Sequence, residues 1–246
     1  MINLTEKKIE NLQNELNENE AFLVTSNSNR FYLTGFNSSA GVVLITHKKA
    51  VLFIDFRYFE KAKSTVNSCD VMLFDKGDKG ICEFFNQENI KTVFVETCSV
   101  SLAKHNYYCN LFENIKISKD NKLDDLLLKM RALKSEYELN FIKSAQELTD
   151  KTFDYILNRI TVGRTEREIM LDMEFFMRSI GAEKVSFDFI VVSGKNSSLP
   201  HGVPTDKKIE KGDFVTMDFG AVVNGYCSDM TRTVAVGCVS EEQQKV

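Results

Sequence analysis

Short apolar runs and longer amphipathic spans divide the chain into halves of different rhythm. In the first half "AFLVTS", "GVVLIT", "AVLFID", "DVMLFD" and "TVFVE" are compact and rich in β-branched and aromatic residues, so each reads as a strand. "GICEFFNQENI" and "SLAKHNYYCNLFENI" carry helical spacing and read as covering helices, an alternation that predicts an α/β layer. The short polar link "HKK" suits a hairpin between the second and third runs, which predicts a mixed sheet. The opening "MINLTEKKIENLQNELNENE" spaces Leu4, Ile9, Leu12 and Leu16 as on a helix, so neither a signal peptide nor a membrane span is expected there.

After "IKISKDNKLDDLL" the pattern turns to long helices, with no strand signal until "FDFIVVSG". A boundary between residues 122 and 123 is therefore expected, giving domains 1–122 and 123–246. "SEYE", Ser135 to Glu138, has the form of a capping box and predicts a helix that buries Leu139, Ile142, Leu148, Phe153, Ile156 and Leu157. "TERE", Thr165 to Glu168, predicts a second helix with an apolar stripe of Ile169, Met173, Phe176 and Ile180, closed by Gly181. Met170, Met173 and Met177 are expected to pack in the core.

Strand alternation returns in "FVTMDFGAVVNGYCSDMTRTVAV", where Asn224-Gly225 is the signal of a two-residue hairpin turn. If Val223 pairs with Tyr226, Asp218 faces Thr231 and Asp229 faces Gly220. Both aspartates then share a polar face with Thr216, Thr231 and Thr233, while Val215, Met217, Phe219, Val223, Met230 and Val234 occupy the other. Diagonal neighbours of this kind have Cα atoms about 7–8 Å apart. Two such carboxylates need a proton, a cation or water between them. A pair of divalent ions about 3.5–4 Å apart fits that span, with Gly220 leaving room for a metal or substrate to approach. The same alternation also describes the wet side of an ordinary hairpin, and spacing alone leaves both readings open.

Composition narrows the partners. At 246 residues the chain can bury a sizeable core without disulfides. The six cysteines form no Cys-x-x-Cys pair, which suits reduced thiols in the cytoplasm. A net charge of −4 with mixed signs leaves no basic footprint for nucleic acid and no polybasic membrane patch. Of three histidines, His47 falls in the predicted "HKK" turn and His105 in a predicted helix without a second ligand at helical spacing. His201 differs, since it lies in "SSLPHGVPTD" between the only two prolines of the chain. Pro200 and Pro204 restrict Leu199 and Val203 to extended backbone, stiffening the loop on both sides of the imidazole.

These segments together resemble a known family. "MDFGAVVNGYCSDMTRT" is similar to the metal-binding hairpin of the pita-bread metallopeptidases, and "SSLPHGVPTDKKIEKGDFV" to the histidine-bearing segment before it. "MRALKSEYELNFIKSAQ" resembles the helix that opens the catalytic domain of Xaa-Pro aminopeptidases and prolidases; "NRFYLTGF" and "DFRYFEKA" resemble the N-terminal domain of the creatinase, prolidase and aminopeptidase branch. The resemblance implies an α/β N-terminal domain with a mixed sheet, then part of an α+β pita-bread domain. It implies that Asp218 and Asp229 ligate two divalent metal ions, manganese foremost, with cobalt, zinc or iron as alternatives. His201 is implied to hydrogen-bond the substrate and its tetrahedral intermediate. Peptides with proline second are the implied substrates and a homodimer the implied assembly. Thr231, opposite Asp218, is expected to orient it.

The match has a gap. The family takes a further histidine and two glutamates from later in the chain, whereas after Asp229 only "MTRTVAVGCVSEEQQKV" follows, and Glu241 and Glu242 stand too near the hairpin. The chain is thus expected to be a C-terminally shortened portion of a longer enzyme that binds the metal pair weakly and has little activity alone. Two other functions remain compatible: a non-catalytic peptide- or protein-binding module on the same scaffold, and a metal-free creatinase-like C–N hydrolase.

Overall fold

Four of the five apolar runs of the first half become neighbouring strands that bury every side chain but the first, which is half covered, whereas the run at residues 70–73 joins them at the sheet edge with its side chains exposed or half-buried. In the computed structural model, which describes residues 4–74, 78–112, 114–238 and 240–245, they are β1 (Glu20–Val24), β2 (Val42–Thr46), β3 (Ala50–Ile54), β4 (Asp70–Leu73) and β5 (Thr92–Val95). A short β6 (Lys116–Ser118) completes a six-stranded sheet in the order β4-β3-β2-β1-β5-β6. The sheet is mixed: β2 is antiparallel to β1 and β3, whereas the outer pairs run parallel. The hairpin across His47 closes with the Thr46 amide donating to the Lys49 carbonyl at 2.8 Å.

Helices α1 (Leu4–Gln13), α2 (Asn27–Thr34), α3 (Phe56–Thr65), α4 (Asp78–Gln87) and α5 (Leu102–Leu111) cover this sheet. Two apolar clusters result, one around Phe22, Leu33 and Ile54 and the other around Phe53, Phe85 and Val93. The helix α6 (Lys122–Ala132) buries Leu123 and Leu127 in the first of these clusters. The chain accordingly divides into compact units at Leu133 and Lys134, not at 122 and 123. Helical periodicity groups α6 with the helices that follow it; packing assigns it to the sheet before it.

The second unit begins with α7 (Glu136–Leu157) and α8 (Glu166–Ser179), both opened by complete capping boxes, Ser135 with Glu138 and Thr165 with Glu168. The buried line of α7 differs from the expected one: it is Glu138, Ala145, Thr149, Thr152 and Ile156, while Leu157 is exposed. Small and hydroxyl side chains let the helix approach the strands closely, and Leu139, Ile142, Leu148 and Phe153 flank that line half-buried. On α8, Ile169, Met173 and Met177 are buried in the unit's core as expected of methionine, and Phe176 stacks on Tyr155 at 3.8 Å. The strands β7 (Lys184–Val185), β8 (Ile190–Ser193), β9 (Phe214–Phe219), β10 (Ala221–Val223), β11 (Tyr226–Cys227) and β12 (Met230–Ala235) form two small sheets, β12-β9-β8 and β11-β10-β7. None of the described helices is long and apolar enough to cross a membrane.

Candidate metal-binding hairpin and the histidine loop

Strand β9 alternates in burial residue by residue, with Val215, Met217 and Phe219 in the core and Thr216 and Asp218 on the other face. The chain reverses at Asn224 and Gly225, whose φ angles of 47° and 78° are those of a type I′ turn. The register matches the one expected: Val223 pairs with Tyr226 and Asp218 with Thr231. On its other side Asp218 pairs with Ile190 of β8, so the carboxylate stands on the central strand of its sheet.

The ladder breaks where Gly220 meets Ser228 and Asp229, between the two small sheets. A Cβ at Gly220 would lie 2.0 Å from the Ser228 carbonyl oxygen and 2.3 Å from Ser186 Oγ. The space beside Gly220 is therefore filled by protein, and the expected opening for metal or substrate is not there. Glycine is needed for that close approach. Ser228 is held at every polar atom: its amide donates to the Ala221 carbonyl, its carbonyl accepts from Ser186 Oγ, and its hydroxyl accepts from the Ala221 amide. That hydroxyl also lies 2.7 Å from Thr149 Oγ1 and 3.1 Å from the Ala145 carbonyl, tying the hairpin to α7 just before Asp229.

This fixed backbone sets the Asp218 and Asp229 carboxyls side by side. Lost solvation first, then the neighbouring negative charge of Asp218, push the Asp229 carboxyl above the usual aspartate range. Asp218 Oδ1 is buried without a hydrogen-bond partner. The expected bond from Thr231 does not form; Thr231 is exposed, and the threonine pair that does bond across the strands is Thr216 with Thr233, at 2.9 Å. An orphaned buried oxygen beside a second carboxylate has the donor chemistry a hard divalent cation takes. Among the described residues no group of three or more histidine, cysteine, aspartate or glutamate side chains could hold a metal.

His201 stands on the loop between β8 and β9. Its side chain is exposed and has no hydrogen-bond partner among the described residues. The backbone beside it is fixed: the Gly202 amide donates to the Leu199 carbonyl at 3.1 Å, and a Cβ at Gly202 would lie 2.6 Å from Val192 Cγ1. The residue that sequence reasoning missed is Glu166, which "TERE" marks only as part of a cap. It is completely buried and accepts from Ser193, Asn196 and Thr205. Burial alone would raise its pKa, but the bonds from Thr205, Ser193 and Asn196 outweigh that and hold the carboxyl below the usual glutamate range. Its donors lie 27 to 39 positions away, so no local pattern reveals it.

Metallopeptidase family M24 matches residues 140–246, and the creatinase/prolidase N-terminal domain matches residues 8–133. The chain is 38% identical to an uncharacterized peptidase of Bacillus subtilis over 98% of its own length and 67% of that protein's. It is 38% identical to an Xaa-Pro dipeptidase of Pyrococcus horikoshii, covering 94% of this chain and 64% of the relative. The solved Xaa-Pro dipeptidase from Bacillus anthracis superposes with a TM-score of 0.91 at 35% identity, over 98% of this chain and 68% of that one. The chain thus spans about two thirds of the length of the relatives it matches.

Proposed function

This chain belongs to metallopeptidase family M24 and carries a creatinase/prolidase N-terminal domain, and on that premise we propose that it serves the hydrolysis of Xaa-Pro peptide bonds. The observation that carries the reading is the carboxyl pair: Asp218 has a buried, unpartnered oxygen, and Asp229 is pressed against it with a raised pKa. A pair of like charges held this way by a rigid hairpin is costly unless a cation compensates it. Asp218 and Asp229 would hold divalent ions, manganese foremost, with cobalt, zinc and iron compatible with the same oxygen donors. When bound, such ions supply Lewis acidity toward the scissile carbonyl and make water nucleophilic at neutral pH.

The chain's own residues supply position and hydrogen bonds. His201, exposed on a stiff loop, donates a ring N–H to the substrate carbonyl oxygen as that atom gains negative charge. The two prolines and Gly202 keep the imidazole from sampling other positions, so little freedom is lost when substrate binds. Proline-containing substrates are inferred from the named activities of the relatives, as dipeptides or as the amino ends of longer peptides. Six free cysteines suit a reducing cytoplasmic setting, and assembly as a homodimer is carried over from the family resemblance.

The test is release of the amino-terminal residue from Ala-Pro, Ala-Pro-Ala and Ala-Ala-Ala with manganese present. The reading expects slow turnover confined to the Xaa-Pro peptides and lost in Asp218→Ala. Equal turnover of Ala-Ala-Ala, or activity surviving in D218A, would count against it.

A further inference from the structure

We propose that Glu166 is the positioning residue for His201: one buried carboxylate fastens both ends of the loop that presents the imidazole. The importance of that loop rests on the role assigned above to His201, whereas the clamp stands on geometry alone. With its ring unbonded, His201 can be placed only by its backbone. That backbone leaves β8 at Ser193, passes through a 3₁₀ turn over Gly194–Ser198, and returns at Thr205.

Each oxygen of Glu166 takes one end. Oε1 accepts from the Ser193 amide at 2.7 Å, the Ser193 hydroxyl at 3.0 Å and Asn196 Nδ2 at 3.1 Å. Oε2 accepts from the Thr205 amide at 3.0 Å and the Thr205 hydroxyl at 2.6 Å, with Asn196 Nδ2 reaching it as well at 3.5 Å. Closing a loop through one short, rigid group removes most of the conformations its middle could sample. The carboxylate sits in the first turn of α8, where the positive end of the helix favours an anion. The same helix end donates the Arg167 amide to the Thr205 carbonyl at 3.0 Å and the Glu166 amide to the Lys207 carbonyl at 3.1 Å. With Gly202 seated on Val192, the loop is held at both ends and at the residue next to His201.

The group must be a carboxylate. All six contacts arrive as donors, and an amide in its place would turn an NH₂ toward one end of the loop. Glu166→Gln is therefore expected to release one end while keeping the side chain's volume. Glu166→Asp keeps the charge on a shorter stem and is expected to recover part of the order. Thr205→Val, at an exposed position, removes a single hydroxyl and leaves the amide bond in place.

The experiment uses the 246-residue chain labelled with ¹³C,¹⁵N-histidine, in which three ring signals are read together with amide hydrogen exchange. In E166Q, exchange across residues 194–204 should rise about tenfold or more and the His201 ring signal should broaden, with His47 and His105 unchanged and β9 and α8 still protected. T205V should show a smaller effect in the same direction and E166D should fall between E166Q and the parent. Unchanged loop exchange and an unchanged His201 signal in both E166Q and T205V would overturn the clamp. So would loosening of β9 and α8 in step with the loop, which is what a merely structural glutamate would give. Adding Ala-Pro to the parent separates the two readings: a His201 signal that ignores the dipeptide refutes its role toward substrate, and with it the functional value of the positioning, without touching the exchange result.

Discussion

Two acidic side chains of the second unit are held in opposite ways, and each leads to its own measurement. Glu166 is surrounded by donors and its carboxyl is held below the ordinary value of 4.5. In the window between its folded and unfolded pKa the folded chain binds fewer protons, so stability rises with pH there and is lost as pH falls through the folded value. Denaturant unfolding from pH 6 downward should therefore show an acid limb that is shallower in E166Q. At neutral pH, E166Q should be destabilised by about 1–3 kcal/mol, the cost of leaving a buried donor unmet. Asp218 and Asp229 face each other instead. Without metal, Asp229→Asn should raise the unfolding midpoint by about 2–4 °C, the shift that accompanies 1 kcal/mol in a chain of this size, because it removes like-charge repulsion. A lower midpoint in D229N would show that the pair is already compensated within the protein.

At the scale of elements, the hairpin is the part most fully written in local sequence. Asn224-Gly225 marks the turn, alternation marks the faces, and with side chains of period two the register follows from those facts. The break at Gly220 was not legible, because its cause is the approach of Ser228 and Ser186, and the latter comes from a distant segment. Gly220→Ala should cost about 2–3 kcal/mol by overpacking that contact, and Ser228→Ala about 1–3 kcal/mol by orphaning the Ala221 amide. Thermal melts of the two variants check this; a G220A melt equal to the parent would mean the hairpin yields there. The burial of α7 was misread for a related reason. A helical wheel weights Leu and Phe, but the face that meets the strands is chosen by how closely the helix packs, which favours Ala145, Thr149 and Thr152.

For the whole molecule, strand and helix rhythm was enough to foresee a mixed α/β unit followed by a helical and hairpin unit. The division between them was displaced by one helix, since periodicity reports that α6 is amphipathic but not which core receives Leu123 and Leu127. The M24 match lies in the second unit. Among the candidate site residues, the shared face of Asp218 and Asp229 was legible because they stand on one hairpin, and the stiff loop at His201 because prolines bracket it. Glu166 was not, because its meaning depends on a loop closed in space.

The central claim, that the Asp218–Asp229 pair is a cation site, is tested most directly by titrating the chain with Mn²⁺ and following paramagnetic broadening of backbone amide signals. The account predicts weak, saturable broadening centred on Asp218, Asp229 and Thr231, abolished in Asp218→Asn and in Asp229→Asn. Broadening that avoids the hairpin, or that persists unchanged in either variant, would contradict it.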